Sequence, residues 1–375
     1  MTRGLASRTR AFWLALLALA VSVVVGVPIA TSLGAAADQY SQTNLISDIP
    51  GVARITDPNL VNPWGQATIG PSPLWVSDNG ADKSTLYTGG VNGSLPVARS
   101  LVVDIQGGAP TGTVGNTTGS ATDFLVHTDT DTGTAPANFI FASENGFITA
   151  WSGKVSGTTA QIVARGRHRA VYKGLALAAV GTSNYLYATN FRSGRIDVFD
   201  RNFDRVRFPS GPFAEQAFTD PNLPAGFAPF GIQLINGKLY VSYAKQDEQK
   251  HDDVAGPGNG FVDVYSTSGV LQTRLISGGD LNSPWGLVLA PSTFGGFGGD
   301  LLVGNFGDGK IHAYDPNNGT EAGTLTNTDG NPIAIDGLWG LRFGNGTFGA
   351  PGALVFTAGI AAEGHGLLGE ITPGG

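Results

Sequence analysis

The chain has 375 residues, of which 41% are apolar and 14% charged, and its formal net charge is -7. This acidic balance, without a basic stripe among the aromatic residues, excludes an electrostatic case for nucleic-acid binding. The chain has no cysteine, which excludes thiol nucleophiles and zinc–thiolate sites, and its 56 glycines and 21 prolines indicate many short strands joined by turns.

The N-terminus has the pattern of an export signal. Arg3, Arg8 and Arg10 precede a long apolar run, and small residues ending at Ala37 follow it. We therefore predict that residues 1–37 are a signal peptide and that the mature protein is secreted or held at the cell surface. An uncleaved membrane anchor is the alternative, because the apolar run is long enough to span a bilayer.

Residues 38–58 form a lead-in with one candidate strand at 43–46. From residue 59 to 375 a short motif recurs, in which a proline and an aromatic residue precede a glycine. Its glycines fall at 65, 174, 231, 286 and 340, so the last three spacings are 57, 55 and 54. The motif copies, the fifth weaker and the sixth degraded, are 62–65, 228–231, 283–286, 338–340, 172–175 and 122–124.

The segments between the motifs are typical of strands. Each motif opens a short apolar strand, and a second strand ending in a polar residue follows, as at 74–78, 186–190 and 301–305. A third segment alternates apolar and polar residues, as at 195–199 and 310–314, which indicates half-buried strands. A fixed period of strand-rich units predicts an all-β fold, a six-bladed β-propeller.

The sixth unit ends at its third strand, near Glu370. We expect the lead-in strand at 43–46 to supply the missing fourth strand, because this would close the ring and remove an open sheet edge.

Two insertions interrupt the repeat. Residues 108–136 are predicted to be a long loop, and 129–133 superficially resemble a calcium loop without its later acidic ligands. Residues 245–260 are a charged loop within the fourth unit. Long loops in a compact repeat are either functional or tolerated surface decoration, and both interpretations stay open.

These motifs resemble those of NHL-type six-bladed β-propellers. The 60–65 opening and the 363–367 ending are similar to those of a family of secreted bacterial proteins of conserved but unassigned function. Better-understood relatives of this fold, the gluconolactonase-like and paraoxonase-like propellers, hold a divalent cation on the central axis, and several hydrolyse lactones or phosphoesters. The resemblance therefore implies export, a propeller fold and, in those relatives, ligands just before the motif glycines. Here those positions hold aromatic residues or lysine, which do not ligate calcium.

Two columns of residues are predicted to share one mouth of the ring, because the second strand of each unit returns to the face where the first began. The first column is the candidate ligand-binding surface, on which a sugar or an apolar molecule could stack. The alternative is that these residues wedge neighbouring blades apart. Its members, with Tyr243 added from the second column, are Trp64, Lys173, Phe230, Tyr243, Trp285 and Trp339.

The second column is polar and is the candidate metal site, since hard cations such as Ca²⁺ prefer oxygen ligands. The alternative is that each side chain fixes a tight turn through backbone hydrogen bonds. The four oxygen donors are Asp78, Glu144, Asn190 and Asn305. His365, in a glycine-rich turn, is the candidate base, and Glu144 is the other candidate catalytic residue.

The leading functional hypothesis is a monomeric, exported propeller that binds a small molecule, a carbohydrate or a protein at an aromatic-lined axial mouth. The alternative is an extracellular, lactonase-like hydrolase or lyase with an axial divalent cation, and a structural envelope or matrix protein is a third. The sequence leaves open whether the protein is an enzyme. No cofactor is certain, Ca²⁺ or another divalent cation is the candidate, and neither nucleic acid nor membrane is an expected partner after signal cleavage.

Overall fold

The computed structural model describes residues 39–127 and 133–374. The predicted signal peptide at 1–37 and the aspartates of the calcium-like loop, Asp129 and Asp131, lie outside the described residues. The described residues form 27 strands and two short 3₁₀ turns, Asn79–Ala81 and Gly295–Phe297, which confirms the all-β prediction. Within these residues, no helix is long and apolar enough to cross a bilayer.

The N-terminal part of the fold consists of short strands joined by turns. The first thirteen strands are β1 (Tyr40–Ser47), β2 (Ile55–Thr56), β3 (Pro63–Ala67), β4 (Leu74–Asp78), β5 (Lys83–Gly89), β6 (Pro96–Ala98), β7 (Val103–Ile105), β8 (Pro110–Gly115), β9 (Leu125–His127), β10 (Thr134–Pro136), β11 (Phe139–Ser143), β12 (Phe147–Trp151) and β13 (Thr159–Arg165). Three of these, β8, β9 and β10, lie in the region that was expected to be a long loop. The expectation was wrong because β8 pairs with β11 at the inner edge of the second unit.

The C-terminal part contains the longer strands. They are β14 (Tyr172–Val180), β15 (Ser183–Asn190), β16 (Arg195–Phe199), β17 (Phe227–Ile235), β18 (Lys238–Lys245), β19 (Gly260–Ser266), β20 (Leu271–Ser277), β21 (Pro284–Leu289), β22 (Leu301–Asn305), β23 (Ile311–Tyr314), β24 (Glu321–Thr324), β25 (Leu338–Phe343), β26 (Leu354–Ala358) and β27 (Leu367–Pro373).

Most sheets are antiparallel meanders in chain order. Three follow the orders β14-β15-β16, β17-β18-β19-β20 and β21-β22-β23-β24. The meanders β3-β4-β5 and β8-β11-β12-β13 are joined through β7, which pairs with both β5 and β13, and β6 adds to β5. The strands β9 and β10 form a separate pair.

The lead-in strand pairs with the C-terminal strand. The sheet order is β2-β1-β27-β26-β25, and β1 runs antiparallel to β27 from the Tyr40–Pro373 pair to the Ser47–Leu367 pair, with a bulge between Asn44 and Ile46. The strand is longer than the 43–46 segment expected from the sequence. It is also well anchored, since Ile46 is fully buried.

The first strand of each meander contacts the first strand of the next. Strand β3 contacts β8, and the contacts continue through β14, β17, β21 and β25, which in turn contacts β3. The apolar core lies between neighbouring sheets. For example, Leu302 and Ile311 of the β21–β24 sheet pack in one cluster with Leu338 and Phe356 of the next sheet. This arrangement places the first strands together and their first residues at one end.

Candidate functional site

Each of the six inner strands carries one glycine that faces the neighbouring inner strand. A Cβ atom on Gly65 would lie 2.5 Å from the Thr111 carbonyl oxygen, and one on Gly340 would lie 2.5 Å from the Trp64 carbonyl oxygen. Any side chain would therefore force the strands apart, which explains why the motif requires glycine. The six motif glycines are Gly65, Gly112, Gly174, Gly231, Gly286 and Gly340.

The motif of the second unit is at 110–112, as Pro-Thr-Gly. The degraded copy predicted at 122–124 is wrong: Phe124 is buried against Phe203, with ring centroids 5.2 Å apart, in a connection outside the inner strands. Thr111 takes the place of the aromatic residue and donates a hydrogen bond to the Tyr172 carbonyl, at 2.9 Å.

The aromatic residues of the motif pack on one another around the axis. Trp64 stacks on Trp339 with ring centroids 3.4 Å apart, and Trp285 meets both edge-on at 6.0 and 5.8 Å. Phe306 stacks on the Trp339 ring at 4.0 Å and Phe230 lies 5.8 Å from it. Trp64 and Trp339 are only 2% and 1% exposed. The predicted open, aromatic-lined mouth is therefore corrected, because these side chains fill the axis themselves. We call them the aromatic plug: Trp64, Phe191, Phe230, Trp285, Phe306 and Trp339.

Lys173 brings one positive charge to this apolar layer. Its side chain is 2% exposed, and its Nζ lies 2.5 Å from Glu144 Oε1 and 3.5 Å from Asp252 Oδ1. The same ammonium lies 5.1 Å from the Trp64 ring centroid and 5.8 Å from that of Phe191, within cation–π range. A buried ammonium is stable here because both carboxylates and aromatic faces surround it.

Amide and carboxylate side chains extend the network around Lys173. Asn79 Nδ2 donates to Glu144 Oε2 at 3.0 Å, and Asn62 Nδ2 donates to Glu363 Oε1 at 3.1 Å. Trp339 Nε1 donates to Asn62 Oδ1 at 3.2 Å, which links the network to the aromatic plug. These polar residues come from loops and strand ends far apart in the chain. We call them the axial cluster: Asn62, Asn79, Glu144, Lys173, Asp252 and Glu363.

The backbone of the axial cluster is strained at two places. Asn62 has φ of 45°, and the consecutive residues Ala361, Ala362 and Glu363 have φ of 55°, 53° and 63°. Non-glycine residues pay a conformational cost in this left-handed region, and such strain concentrates at functional sites.

Two carboxyl groups of the axial cluster have pKa values shifted in opposite directions. Burial raises the pKa of Glu363, and the Glu144 charge adds to the rise, although the Asn62 hydrogen bond and Lys173 oppose it. Burial would also raise the pKa of Asp252, but the Lys173 ammonium and the His251 ring outweigh it, so that pKa is lowered. The two carboxyl groups therefore differ in proton affinity, with Glu363 holding its proton to a higher pH than Asp252 does.

The predicted metal column is not assembled, and only Glu144 reaches the axis. Asp78 is fully buried next to Asp57 and Tyr87, where burial raises its pKa well above the usual value. Asn190 bonds Asp197 at 3.0 Å and accepts from the Ser193 amide. Asn305 accepts from the Asn282 amide and donates to the Asp280 carbonyl. The two asparagines therefore fix turns.

The register explains this outcome. Pro63 pairs with Asp78, Tyr172 with Asn190 and Pro284 with Asn305, so the axial position is one residue later, because side chains alternate between faces of a strand. The residues at this later position are Asn79, Glu144, Phe191, Ala244, Phe306 and Gly359.

The other two predicted site residues also lie elsewhere. Tyr243 OH bonds Tyr265 OH at 2.8 Å inside the core between sheets, and it lines a cavity of about 650 Å³ with Asp197 and Arg205. His365 Nδ1 lies 2.7 Å from Asp48 Oδ2. The ring of His365 therefore pairs with Asp48, while Glu144 pairs with Lys173.

Among residues 39–127 and 133–374, two groups of side chains have the donor types for a metal ion. Glu144, His251 and Asp252 offer atoms within 4.8 Å of one another, but the same carboxylates already bind the Lys173 ammonium. Asp280, His312 and Glu321 form a second group on the β21–β24 sheet, where His312 Nδ1 lies 3.3 Å from Glu321 Oε1.

Sequence reasoning missed Asn62, Asn79, Asp252 and Glu363. Asp252 lies in the charged 245–260 insertion, which was one open candidate for a functional loop. Asn62 stood in the opening motif itself, immediately before the proline, and its position next to the axial tryptophan was the available signal. Glu363 lies four residues after Gly359, the last of the axial positions, and no sequence pattern distinguished it.

The sequence and the fold were each compared with those of known proteins. No protein-family model matches the chain. The Uncharacterized protein R648 of Acanthamoeba polyphaga mimivirus is 33% identical over 334 residues, covering 87% of this chain and 78% of the relative. This relative is viral, so the bacterial origin implied by the resemblance is not supported.

Solved structures show the same fold at low identity. The soluble aldose sugar dehydrogenase from Escherichia coli in the apo-form has a TM-score of 0.53 at 12% identity and covers 90% of this chain and 100% of its own. The Penicillium chrysogenum alpha-L-arabinanase complexed with arabinobiose has a TM-score of 0.52 at 14% identity and covers 89% and 98%. The fold is therefore of the β-propeller type.

Proposed function

The chain belongs to the family that includes the mimivirus protein R648, and from this premise we propose that it is an exported β-propeller that binds a carbohydrate at the axial cluster. The proposal takes the fold to have six blades. It is supported by six inner strands that each carry a glycine facing the next strand, and by the pairing of β1 with β27, which would complete the last blade.

The observation that carries the proposal is the convergence of the axial cluster. Glu144 and Asp252 contact the Lys173 ammonium, and hydrogen bonds join Asn79, Asn62 and Glu363, from three other segments, to the same network. Sugar hydroxyls both donate and accept hydrogen bonds, so a mixture of carboxylates, amides and an ammonium suits them.

An apolar surface next to the polar groups completes this type of site. Phe306 is partly exposed and stacks on Trp339, so its other ring face is the candidate surface for the C–H groups of a sugar ring. The two solved propellers agree with this choice of ligand class, since one is a sugar dehydrogenase and the other was solved with arabinobiose. Because their sequence identity to this chain is low, these two structures show a shared fold and no shared ligand. The proposed ligand class therefore depends on the side chains of the axial cluster.

Saccharide titration tests the proposal. Neutral mono- and oligosaccharides are titrated into the purified protein, with calorimetry and tryptophan fluorescence as readouts. Asp252→Asn should weaken binding about tenfold, because it removes a charged hydrogen-bond acceptor. Glu248→Gln, on the same loop and exposed, is the matched control and should bind normally. If no saccharide in a broad glycan panel binds the wild-type protein, the carbohydrate proposal is rejected.

A hydrolase or lyase is the second candidate. The opposite pKa shifts of Glu363 and Asp252 favour it, with Glu363 as the acid and Asp252 as the base. A divalent cation fits poorly in the axial cluster, because Lys173 already occupies the oxygens of Glu144 and Asp252. Release of reducing sugar from the saccharides that bind, abolished by Glu363→Gln, would support this candidate.

Export and the monomeric state are parts of the same proposal. Support for export comes from the basic, apolar and small-residue pattern of residues 1–37. Mass spectrometry of protein recovered from the culture medium should give an N-terminus at Asp38. Light scattering should give the mass of one chain.

A further inference from the structure

The inner strands form a second opening on the far side of the motif glycines. This opening, which we call the Arg342 pocket, is a cavity of about 180 Å³. A narrower cavity of about 40 Å³, ringed by the six motif glycines, lies between it and the aromatic plug. The polar residues that line the Arg342 pocket are Gln66, Thr68, Thr113, Thr117, Gln233 and Arg342.

Arg342 is a half-buried cation without a carboxylate partner. Its Nη2 donates to the Thr68 hydroxyl, while its Nε is buried and has no hydrogen-bond partner. Burial lowers the pKa of the guanidinium. Within residues 39–127 and 133–374, no carboxylate comes within 4.0 Å of it, and no acidic side chain lines the pocket.

Three other buried or partly buried cations among the described residues are paired with carboxylates, whereas Arg192, which is also partly buried, donates to the Gln249 carbonyl. Lys173 is held by Glu144, Arg205 by Asp197 and Arg274 by Asp220. A charge taken out of water is costly unless a partner compensates it, and the chain as a whole is acidic. An unpaired guanidinium in a cavity lined by hydroxyl and amide groups therefore indicates that the compensating charge comes from outside the chain.

We propose that the Arg342 pocket binds a small oxyanion, either inorganic phosphate or sulfate or the carboxylate of an acidic sugar. The guanidinium is planar and presents paired N–H donors to two oxygens of such an anion. The Thr68 hydroxyl accepts from Nη2, so its own hydrogen is available as a further donor. The site is separate from the axial cluster, and the proposal does not depend on the function assigned there.

The test is calorimetry and thermal unfolding of the purified protein with four probes: sulfate, phosphate, glucuronate and neutral glucose, at ionic strength held constant with chloride. Wild-type protein should show saturable binding and a melting temperature that rises with the oxyanion. Arg342→Gln should weaken binding about tenfold or more. Tighter binding of glucuronate than of sulfate or phosphate identifies the acidic sugar, and the reverse identifies the free anion.

A second variant keeps the proposal testable if the Arg342→Gln variant does not fold. Gln233 is exposed at the rim of the pocket, so Gln233→Glu should fold normally and weaken anion binding by repulsion. Gln249→Glu, exposed in the 245–260 loop, should leave binding unchanged. The proposal is overturned if Arg342→Gln and Gln233→Glu bind the probes as the wild type does, or if all probes act only through ionic strength.

Discussion

Lys173 and Glu144 form the ion pair at the centre of the axial cluster, and a double-mutant cycle measures its contribution. The Nζ–Oε1 distance is 2.5 Å, and the two side chains are 2% and 13% exposed. Removing one partner of a buried pair leaves an uncompensated charge, which costs about 3–5 kcal/mol. Glu144→Gln should lower the free energy of unfolding by about 3 kcal/mol, the lower end of this range. The reason is that Lys173 still has Asp252 as a partner at 3.5 Å.

The double variant Lys173→Met/Glu144→Gln should be less destabilised than the sum of the single variants. Neither charge of the pair is then left unpaired, and the glutamine that replaces Glu144 can still accept a hydrogen bond from Asn79. For residues in one network, coupling energies reach about 0.5–3 kcal/mol, and we expect about 2 kcal/mol here. Lys83→Met provides the matched control, since its pair with Asp104 is exposed and 3.8 Å long and should contribute less than about 1 kcal/mol.

Differential scanning fluorimetry gives the readout. At roughly 2 °C per kcal/mol for a large domain, Glu144→Gln should lower the melting temperature by about 6 °C, and Lys83→Met by no more than about 2 °C. If the Lys173 and Glu144 losses add within about 0.5 kcal/mol, the two side chains are not coupled, and the reasoning about the axial cluster fails.

Three further predictions concern the pH response, the motif and the N-terminal strand. Because the folded pKa of Glu363 is raised, its stabilising contribution is present at acid pH and lost as pH rises; Glu363→Gln should melt like wild type near pH 4 and higher than wild type at pH 8. Gly286→Ala places a Cβ atom 2.7 Å from the Trp339 carbonyl oxygen and should cost about 1–3 kcal/mol, while Gly352→Ala, whose Cβ atom would be in ordinary contact with Thr293 Oγ1 at 3.7 Å, should cost little by chemical denaturation. Ile46→Ala in β1, fully buried, should cost about 2–5 kcal/mol; a loss below about 0.5 kcal/mol would contradict a stabilising role for β1.

The repeat predicted the all-β class and five of the six motif glycines. The sixth, Gly112, was missed because Thr111 replaces the aromatic residue there and the spacing on either side is uneven. The aromatic residue nearest the expected spacing is Phe124, whose ring is buried against Phe203 and lies outside the inner strands. A motif defined by its aromatic residue fails where the axis holds a hydroxyl, whereas the glycine is required by the close approach of the strands in every unit.

Lys173 and Glu144 were predicted at the axis, but three of the four predicted metal ligands, Asp78, Asn190 and Asn305, lie one residue before the axial position. The polar residues that end the second strands, such as Asn190 and Asn305, are conspicuous because turns need them. Their neighbours Phe191 and Phe306 face the axis, and nothing in the local pattern distinguishes them. Asp252 reaches the axis from a long loop, and loop conformation depends on tertiary contacts that periodicity does not encode.

Lys173 lies just before a motif glycine, a position where the sequence resemblance implies a metal ligand, and its ammonium compensates the charges of Glu144 and Asp252. We therefore predict that EDTA and Ca²⁺ leave the melting temperature of the wild-type protein unchanged. Lys173→Met removes the internal cation and leaves oxygens from Glu144, Asp252 and Glu363 without compensation, which is a donor set that Ca²⁺ prefers. The melting temperature of this variant should rise with Ca²⁺ and fall again with EDTA. A Ca²⁺ response in the wild-type protein, or its absence in the variant, would show that Lys173 does not substitute for a metal.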